Sequence, residues 1–347
     1  MPTLYVTEPG SVVRFAAGAV LVTRDDDSDG AAPRPKDREI LIEVELHRLE
    51  MIALVGRVHI TSAATQLCLE RGISVSWFKW NGDYLGRMVP EVARSGDLRL
   101  LQYGRVSDPV RCLQAARYIV AAKLTNAGAV LRAIHGNYPG DAARTRAMTE
   151  IGRFGKTANT AGDLESLRGL EGHGASLYFT ALRGAFRGDI RFAGRKRRPP
   201  PDPANALLSF GYVLLGSLLQ GTIEARGLDP ALGVFHAVRP GRPSLALDLL
   251  EELRHPVVDR FVLRTCNLRI FRPEMFESDP EMPAAVRLGR DGLKRFFREW
   301  ETHLGRPLRE RETGDRIAPR ALLRRQVDRF AADLRGGEPY KPFLLNA

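Results

Sequence analysis

The chain has little cysteine: only Cys68, Cys112 and Cys266, odd in number and far apart. They form neither a disulfide framework nor a CxxC metal site, and they fit a reducing compartment, so a cytoplasmic location is expected. Uninterrupted apolar sequence is also missing. No run reaches the roughly 18 residues that a membrane span requires, and no membrane partner is expected. Met1–Glu8 lacks a basic segment followed by an apolar stretch, so no secretory signal is expected either. No internal repeat of convincing period occurs. What the chain has in excess is positive charge: 52 Lys and Arg face 41 Asp and Glu, a formal net charge of +11. Arginine's planar fork matches phosphate oxygens. An excess of this size favours a polyanionic partner, nucleic acid foremost, though it carries no sequence preference.

With 347 residues, 44% of them apolar, there is length for one large domain or two ordinary ones. Short β-prone runs fill the first ninety residues: 4–6, 12–15, 20–23, 39–44 and 48–54. The polar stretch Asp25–Pro35 reads as a long mobile hairpin loop. A helix is predicted over 62–71, stopped by Gly72, then a strand over 73–79 and a hairpin at Asn81-Gly82. From about Asp108 the apolar period becomes helical, beginning with Leu113, Ala116, Ile119 and Leu124. Further helices are predicted near 141–154, 163–186, 203–226, 244–254, 255–270, 288–304 and 319–334. The expected class is α+β: an N-terminal β-rich domain (1–92), a linker (93–107) and a larger all-α domain (108–347). The tail after Gly336-Gly337 is expected to flex, with Tyr340, Phe343 and Leu344 available to a partner.

One acidic stripe stands out on this basic chain, in GVFHAVRPGRPSLALDLLEELRHP (233–256). At about 100° per residue from Asp248, Glu251 falls near 300°, Glu252 near 40° and His255 near 340°. Ala246, Leu249, Leu250 and Leu253 form the opposite face. An ordinary amphipathic helix with a solvated acidic side explains such a stripe. Yet like charges three and four residues apart repel, and a divalent cation would remove that cost. Oxygen ligands suit Mg²⁺ or Mn²⁺, and Mn²⁺ tolerates the imidazole of His236 better. A third carboxylate is needed, and Glu171 is the best candidate. It lies in LRGLEGHGASLYF (167–179), where three glycines suggest close approach of a helix or ligand; an exposed glutamate beside a kink is the plainer explanation. His173 falls on another helix face. The basic run Arg195-Lys196-Arg197-Arg198 suits phosphates or a solvated loop equally. Beyond it, Asn205, Ser209 and Tyr212 are either satisfied core groups or groups facing the same site. Lys79, Arg87, Arg111, Lys123 and Arg187 are further candidates for clamping DNA.

These blocks, EGHGASLYF, GRKRRPPPDPANALLSFGYVLL and GVFH…GRPSLALDLLEELR, resemble the CRISPR-associated spacer-acquisition integrase, a metal-dependent DNA endonuclease. VGRVHITSAATQLCLERGISVSWFKWNGDYLGRM (55–88) resembles that family's N-terminal β domain, so the likeness spans nearly the whole chain. The resemblance implies that Glu171, His236 and Glu251 are metal ligands for Mg²⁺ or Mn²⁺, with Asp248 matching a catalytic acid one turn earlier. Other members have Asp where this chain has Glu251. Arg254 matches a basic residue after the acidic pair, and Asn205 and Tyr212 match residues lining the site. Glu252 and His255 receive no role.

A homodimer is implied, two of which clasp a small second adaptation protein and insert short double-stranded DNA into a CRISPR array. The form resembled is one fused to, or encoded beside, a companion CRISPR nuclease with a four-cysteine iron–sulfur site; three scattered cysteines do not supply that site here. A 3′-OH on the incoming DNA would attack a phosphodiester of the repeat. Two other functions compete with this one: a branched-DNA repair nuclease using water, and a non-enzymatic DNA-binding scaffold with a solvated acidic cluster.

Overall fold

A computed structural model describes residues 3–24, 39–80, 84–88, 96–196, 199–279 and 282–346. The chain divides into two compact units, Met1–Val92 with Gly289–Glu301, and Ala93–Leu288 with Thr302–Ala347.

The first unit contains β1 (Thr3–Val6), β2 (Ser11–Ala16), β3 (Ala19–Arg24), β4 (Glu39–Glu45), β5 (Met51–Val55), β6 (His59–Ile60), α1 (Ser62–Glu70), β7 (Ser74–Phe78) and β8 (Tyr84–Met88). Two four-stranded sheets result, ordered β1-β5-β7-β8 and β4-β3-β2-β6. β5 pairs in parallel with both β1 and β7, which is why all five of its residues are buried and apolar rather than alternating. Thr61 caps α1 by accepting from the Ala64 amide. Val6, Val13, Val20, Val22, Ile52, Leu54 and Val75 fill the core. Residues 290–301 add one helical side, where Phe297 stacks on Tyr5 with ring centroids 4.1 Å apart. The expected loop at 25–35 and the Asn81-Gly82 turn lie outside the described residues.

The second unit is mostly helical. It holds α2 (Gly96–Val106), α3 (Pro109–Asn137), α4 (Ala142–Ala158), α5 (Leu164–Leu182), α6 (Pro203–Ala225), α7 (Ser244–Leu253) and α8 (Arg260–Asn267). After them come the ribbon β9 (Phe276–Ser278) and β10 (Val286–Leu288), then α9 (Arg290–Leu304), whose residues 290–301 belong to the first unit, the ribbon β11 (Leu308–Arg309) and β12 (Arg316–Ile317), and α10 (Pro319–Leu334). Aspartates set four of the helix starts: Asp108, Asp141, Asp163 and Asp202 each accept from amides of the first turn. In α3 and α6 the following residue is proline, whose missing N–H is unneeded there.

The 29-residue α3 runs through the core and packs against α4, α5 and α7. α6 is long and apolar enough to cross a membrane by composition alone. It packs against α7, α8 and α10, with Leu207, Leu208, Leu215 and Leu219 fully buried, so it reads as a core helix.

The strand-rich start followed by helices is the expected α+β arrangement. Several details differ. Residues 93–107, expected as a linker, contain α2. The helix expected over 255–270 begins as a π-helical turn, Arg254–Asp259, that continues α7 directly into α8. The two ribbons interrupt the expected all-α region. The tail is not loose: Tyr340, Phe343 and Leu345 are buried within the same unit.

Candidate active site

Three elements of the second unit bring Glu171, His236 and Glu251 together. Glu171 stands on α5, Glu251 on α7, and His236 on the irregular segment preceding α7. Imidazole Nε2 of His236 lies 3.9 Å from Glu251 Oε1. Both glutamates pair with the same ammonium, that of Lys123 on α3.

Asp248 explains how His236 is held. It is fully buried, and its carboxylate accepts from the amides of Val234 (2.6 Å), Phe235 (3.0 Å) and His236 (2.8 Å). It also accepts from His236 Nδ1 at 2.6 Å. A carboxylate in that position takes the Nδ1–H and turns Nε2 towards Glu251. Gly233 allows the segment to lie this close, since a Cβ there would sit 2.6 Å from Asp248 Oδ2 and 2.8 Å from Ser244. The sequence grouped Asp248 with the catalytic residues. In the structure it touches no open space and orients the imidazole from behind.

Glu251 is 3% exposed. Burial opposes its ionisation, but the Arg254 guanidinium, Lys123 and His236 overcome that and hold the carboxyl down at about 2. Arg254 Nη2 lies 3.3 Å from Oε1. Oε2 contacts Lys123 Nζ at 2.5 Å, yet it receives no hydrogen bond of good geometry. Glu171 is the more open carboxylate, its side chain 22% exposed.

Lys123 corrects a sequence expectation. It was counted among cations facing DNA, but its side chain is 2% exposed and is spent on the two glutamates. Among the described residues no three His, Cys, Asp or Glu gather closely enough to form a metal cluster, and the ammonium stands between the two carboxylates instead. The donor set nevertheless fits a hard divalent cation such as Mg²⁺ or Mn²⁺. It offers an ionised carboxylate, a second and more accessible carboxylate, and an imidazole whose Nε2 is turned towards them, with the Lys123 ammonium on the carboxylate oxygens.

Beside this centre, two guanidiniums meet the ring of Tyr212 on α6, Arg254 at 4.9 Å and Arg195 at 5.4 Å from its centroid. Its hydroxyl donates to Asp259. Arg195 donates to Asn205 (2.9 Å) and Ser209 (3.1 Å), so the first residue of the basic run is anchored to α6. Asn205 is fully buried and also binds the Lys196 amide and the Gly194 carbonyl, which fixes the loop on the helix. Lys196 is exposed. Arg197 and Arg198 lie outside the described residues.

The acidic stripe is not a solvated face, because each of its members is buried with a different partner. Glu252 accepts from the Tyr340 hydroxyl, the Phe343 amide at 2.5 Å and Gln326 at 3.1 Å. Burial raises its carboxyl to about 7, against those hydrogen bonds. His255 bonds Asp259 at 2.6 Å, and burial lowers its basicity despite that carboxylate. His173 is exposed, against Phe154. Of the three glycines in α5, only Gly174 makes a close approach, to Leu124. The helix itself is continuous.

A family model described as CRISPR associated protein Cas1 matches residues 4–302, a span that includes Glu171, His236 and Glu251. The chain belongs to the Cas1 family. A Cas1 endonuclease of Thermus thermophilus is 33% identical across 90% of this chain and 91% of its own length. Another, from Chlorobaculum tepidum, is 31% identical across 99% and 98%. A Cas4/Cas1 fusion of Geobacter sulfurreducens is 34% identical over 76% of this chain and 46% of the fusion. A Cas1 protein structure from Thermotoga maritima shares the fold, with a TM-score of 0.78 at 24% identity over 98% of this chain and 99% of that one. So does a casposase bound to integration product, with 0.79 at 21% identity over 97% and 91%. Cas1 membership places the chain among CRISPR-associated endonucleases.

Proposed function

We propose that this Cas1 chain inserts short double-stranded DNA into a CRISPR repeat, a DNA 3′-OH attacking a repeat phosphodiester and displacing the 3′-oxygen of the cut strand, which leaves as a 3′-OH, with the aid of Mg²⁺ or Mn²⁺ held by Glu171, His236 and Glu251. The observation that carries the reading is the meeting of two carboxylates with an imidazole whose outer nitrogen is freed by Asp248. When bound, the ion would polarise the phosphodiester and offset charge developing on its oxygens. Asp248 takes the Nδ1–H, so Nε2 is the ring nitrogen left to face an ion. Arg254 and Lys123 keep Glu251 ionised. Arg254 and Arg195, both against the ring of Tyr212, add positive potential where an anionic backbone must approach. The scaffold alternative relied on a solvated acidic cluster, and the burial of Asp248, Glu251, Glu252 and His255 removes that support.

Partners follow from the relatives. Solved chains of this fold come from a Cas6-RT-Cas1–Cas2 complex (TM-score 0.76, 20% identity, 99% of this chain and 36% of that chain). By the same reasoning a Cas1 homodimer joined by a small second adaptation protein is the assembly expected to act, and the Cas4/Cas1 fusions make an iron–sulfur companion nuclease a further partner. The test uses the full chain with its small partner, Mn²⁺, a short duplex with free 3′-OH ends, and a repeat target. Glu171→Ala and His236→Ala are each expected to lower joined product on the order of a hundredfold or more while retaining duplex binding. Normal joining by Glu171→Ala would overturn the site. Cut but never joined target DNA in the wild type would favour the hydrolytic repair nuclease.

A further inference from the structure

Among the described residues Lys123 is the cation that pairs with both carboxylates, and apart from the buried Asn126 three residues on, its face of α3 is apolar. On α3 its neighbours three, four and seven residues away, Ile119, Val120, Ala127 and Val130, are all buried core residues. A buried ammonium persists there only because opposite charge meets it. The charge it meets is that of Glu171 and Glu251, bridged on either side of one Nζ. Without it, two carboxylates would face each other across the same gap, one of them 3% exposed. Arg254 pairs with Glu251 at Oε1, 3.3 Å away, and acts on Glu171 through space without an ion pair between them.

We propose that Lys123 is the resident counter-cation of the metal-free site: it holds Glu171 and Glu251 in register, and a divalent cation must displace its ammonium from between them to bind. This rests on the metal-site reading above. Lys123 is thereby a positioning residue that acts through the two glutamates. Its four-carbon stem lets the ammonium swing aside without moving α3. Two effects oppose each other: the lysine keeps the empty site from being forced apart, and it weakens metal binding by competing for the same oxygens.

The experiment compares full-length wild type with Lys123→Met by Mn²⁺ titration, reading free Mn²⁺ by electron paramagnetic resonance, and by thermal unfolding in EDTA and in Mn²⁺. Lys123→Met is expected to bind Mn²⁺ more tightly by roughly tenfold or more. It is also expected to melt below wild type in EDTA, and to gain more from Mn²⁺ than wild type does. Unchanged or weaker Mn²⁺ affinity, with the melting temperature lowered equally in both conditions, would overturn the proposal and leave an ordinary structural lysine. Should the variant not fold, wild type alone suffices. Amine acetylation of the native protein followed by peptide mass spectrometry is expected to modify Lys123 faster with Mn²⁺ than with EDTA, and equal protection overturns the idea. Equal Mn²⁺ affinities that His236→Ala abolishes would sink the lysine proposal alone. Mn²⁺ binding that His236→Ala leaves intact would sink the metal-site reading, and the lysine proposal with it.

Discussion

Asp248 accepts from three backbone amides and one imidazole, which leaves it no free oxygen for a metal. Asp248→Asn replaces one acceptor by an NH₂ donor that must face other donors. We expect a loss of roughly 2–3 kcal/mol in denaturant unfolding, with weaker Mn²⁺ binding although all three proposed ligands remain. A second buried group sets an acid limit on stability. His303 donates from Nε2 to the Val257 carbonyl. Burial lowers its basicity to about 4 from an ordinary 6.5, assisted by Arg260, Arg264 and Arg306 against the effect of that hydrogen bond. The unfolded chain therefore takes up a proton near 6.5 that the folded chain refuses until about 4. This contribution is complete above pH 6.5 and is lost as pH falls towards 4, at most roughly 3 kcal/mol. His303→Gln should flatten the unfolding free energy across that window, and an unaltered pH profile would refute the assignment.

Much of the site was legible residue by residue. Spacing drew attention to His236, an acidic stripe and the glycine-rich stretch around Glu171, and the family likeness singled out Glu171, His236 and Glu251. The wheel failed for the stripe because it treats one face as wet. Here both faces of α7 are buried, and Asp248, Glu251, Glu252 and His255 separate by partner rather than by angle. Lys123 was misplaced for the opposite reason. Its charge suggested solvent, while its position among Ile119, Val120, Ala127 and Val130 placed it on the apolar face. That position was the signal to follow.

Whole elements are positioned by segments that look dispensable in sequence. The C-terminal tail is one of them. Asn126 on α3 binds the carbonyls of Glu252 (2.7 Å) and Phe343 (2.8 Å) and accepts from the Leu345 amide (2.8 Å). Glu252, next to Glu251 on α7, is satisfied by Tyr340, Phe343 and Gln326. The tail thus ties α3, α7 and α10 together behind the site. Phe343 is fully buried, so Phe343→Ala should cost about 3–5 kcal/mol in unfolding experiments. A change under about 1 kcal/mol would mean that the tail is not docked in solution.

Most strands and long helices were legible because their apolar period is plain. α2 was not: Leu100, Leu101 and Tyr103 point outwards at 71%, 43% and 47% exposure, so no clean apolar stripe marks it. Hydrogen bonds hold it instead, Gln102 to the carbonyls of Asp229 and Leu232, and Arg105 to Asp333. No local pattern in the sequence announces such distant partners. The π-helical turn after α7 was hidden likewise; within it His255 pairs with Asp259, which also accepts from Tyr212 of the distant α6.

Over the whole molecule, a net charge of +11 coexists with a centre built from buried carboxylates. The two are complementary: the basic excess attracts a polyanion without discrimination, and the acids wait for a cation at one place within it. The α+β class and the family were both readable from the sequence. The wiring that frees one imidazole nitrogen was not, because it depends on which carboxylate ends behind the histidine and which in front. The central claim is that Glu171, His236 and Glu251 hold one divalent cation. An anomalous-difference map from crystals of the protein grown with Mn²⁺ tests it most directly. The account predicts a peak bonded to Nε2 of His236 and to oxygens of Glu171 and Glu251, with none at Asp248. A map with no peak beside His236, or with the ion bound through Asp248, would contradict it.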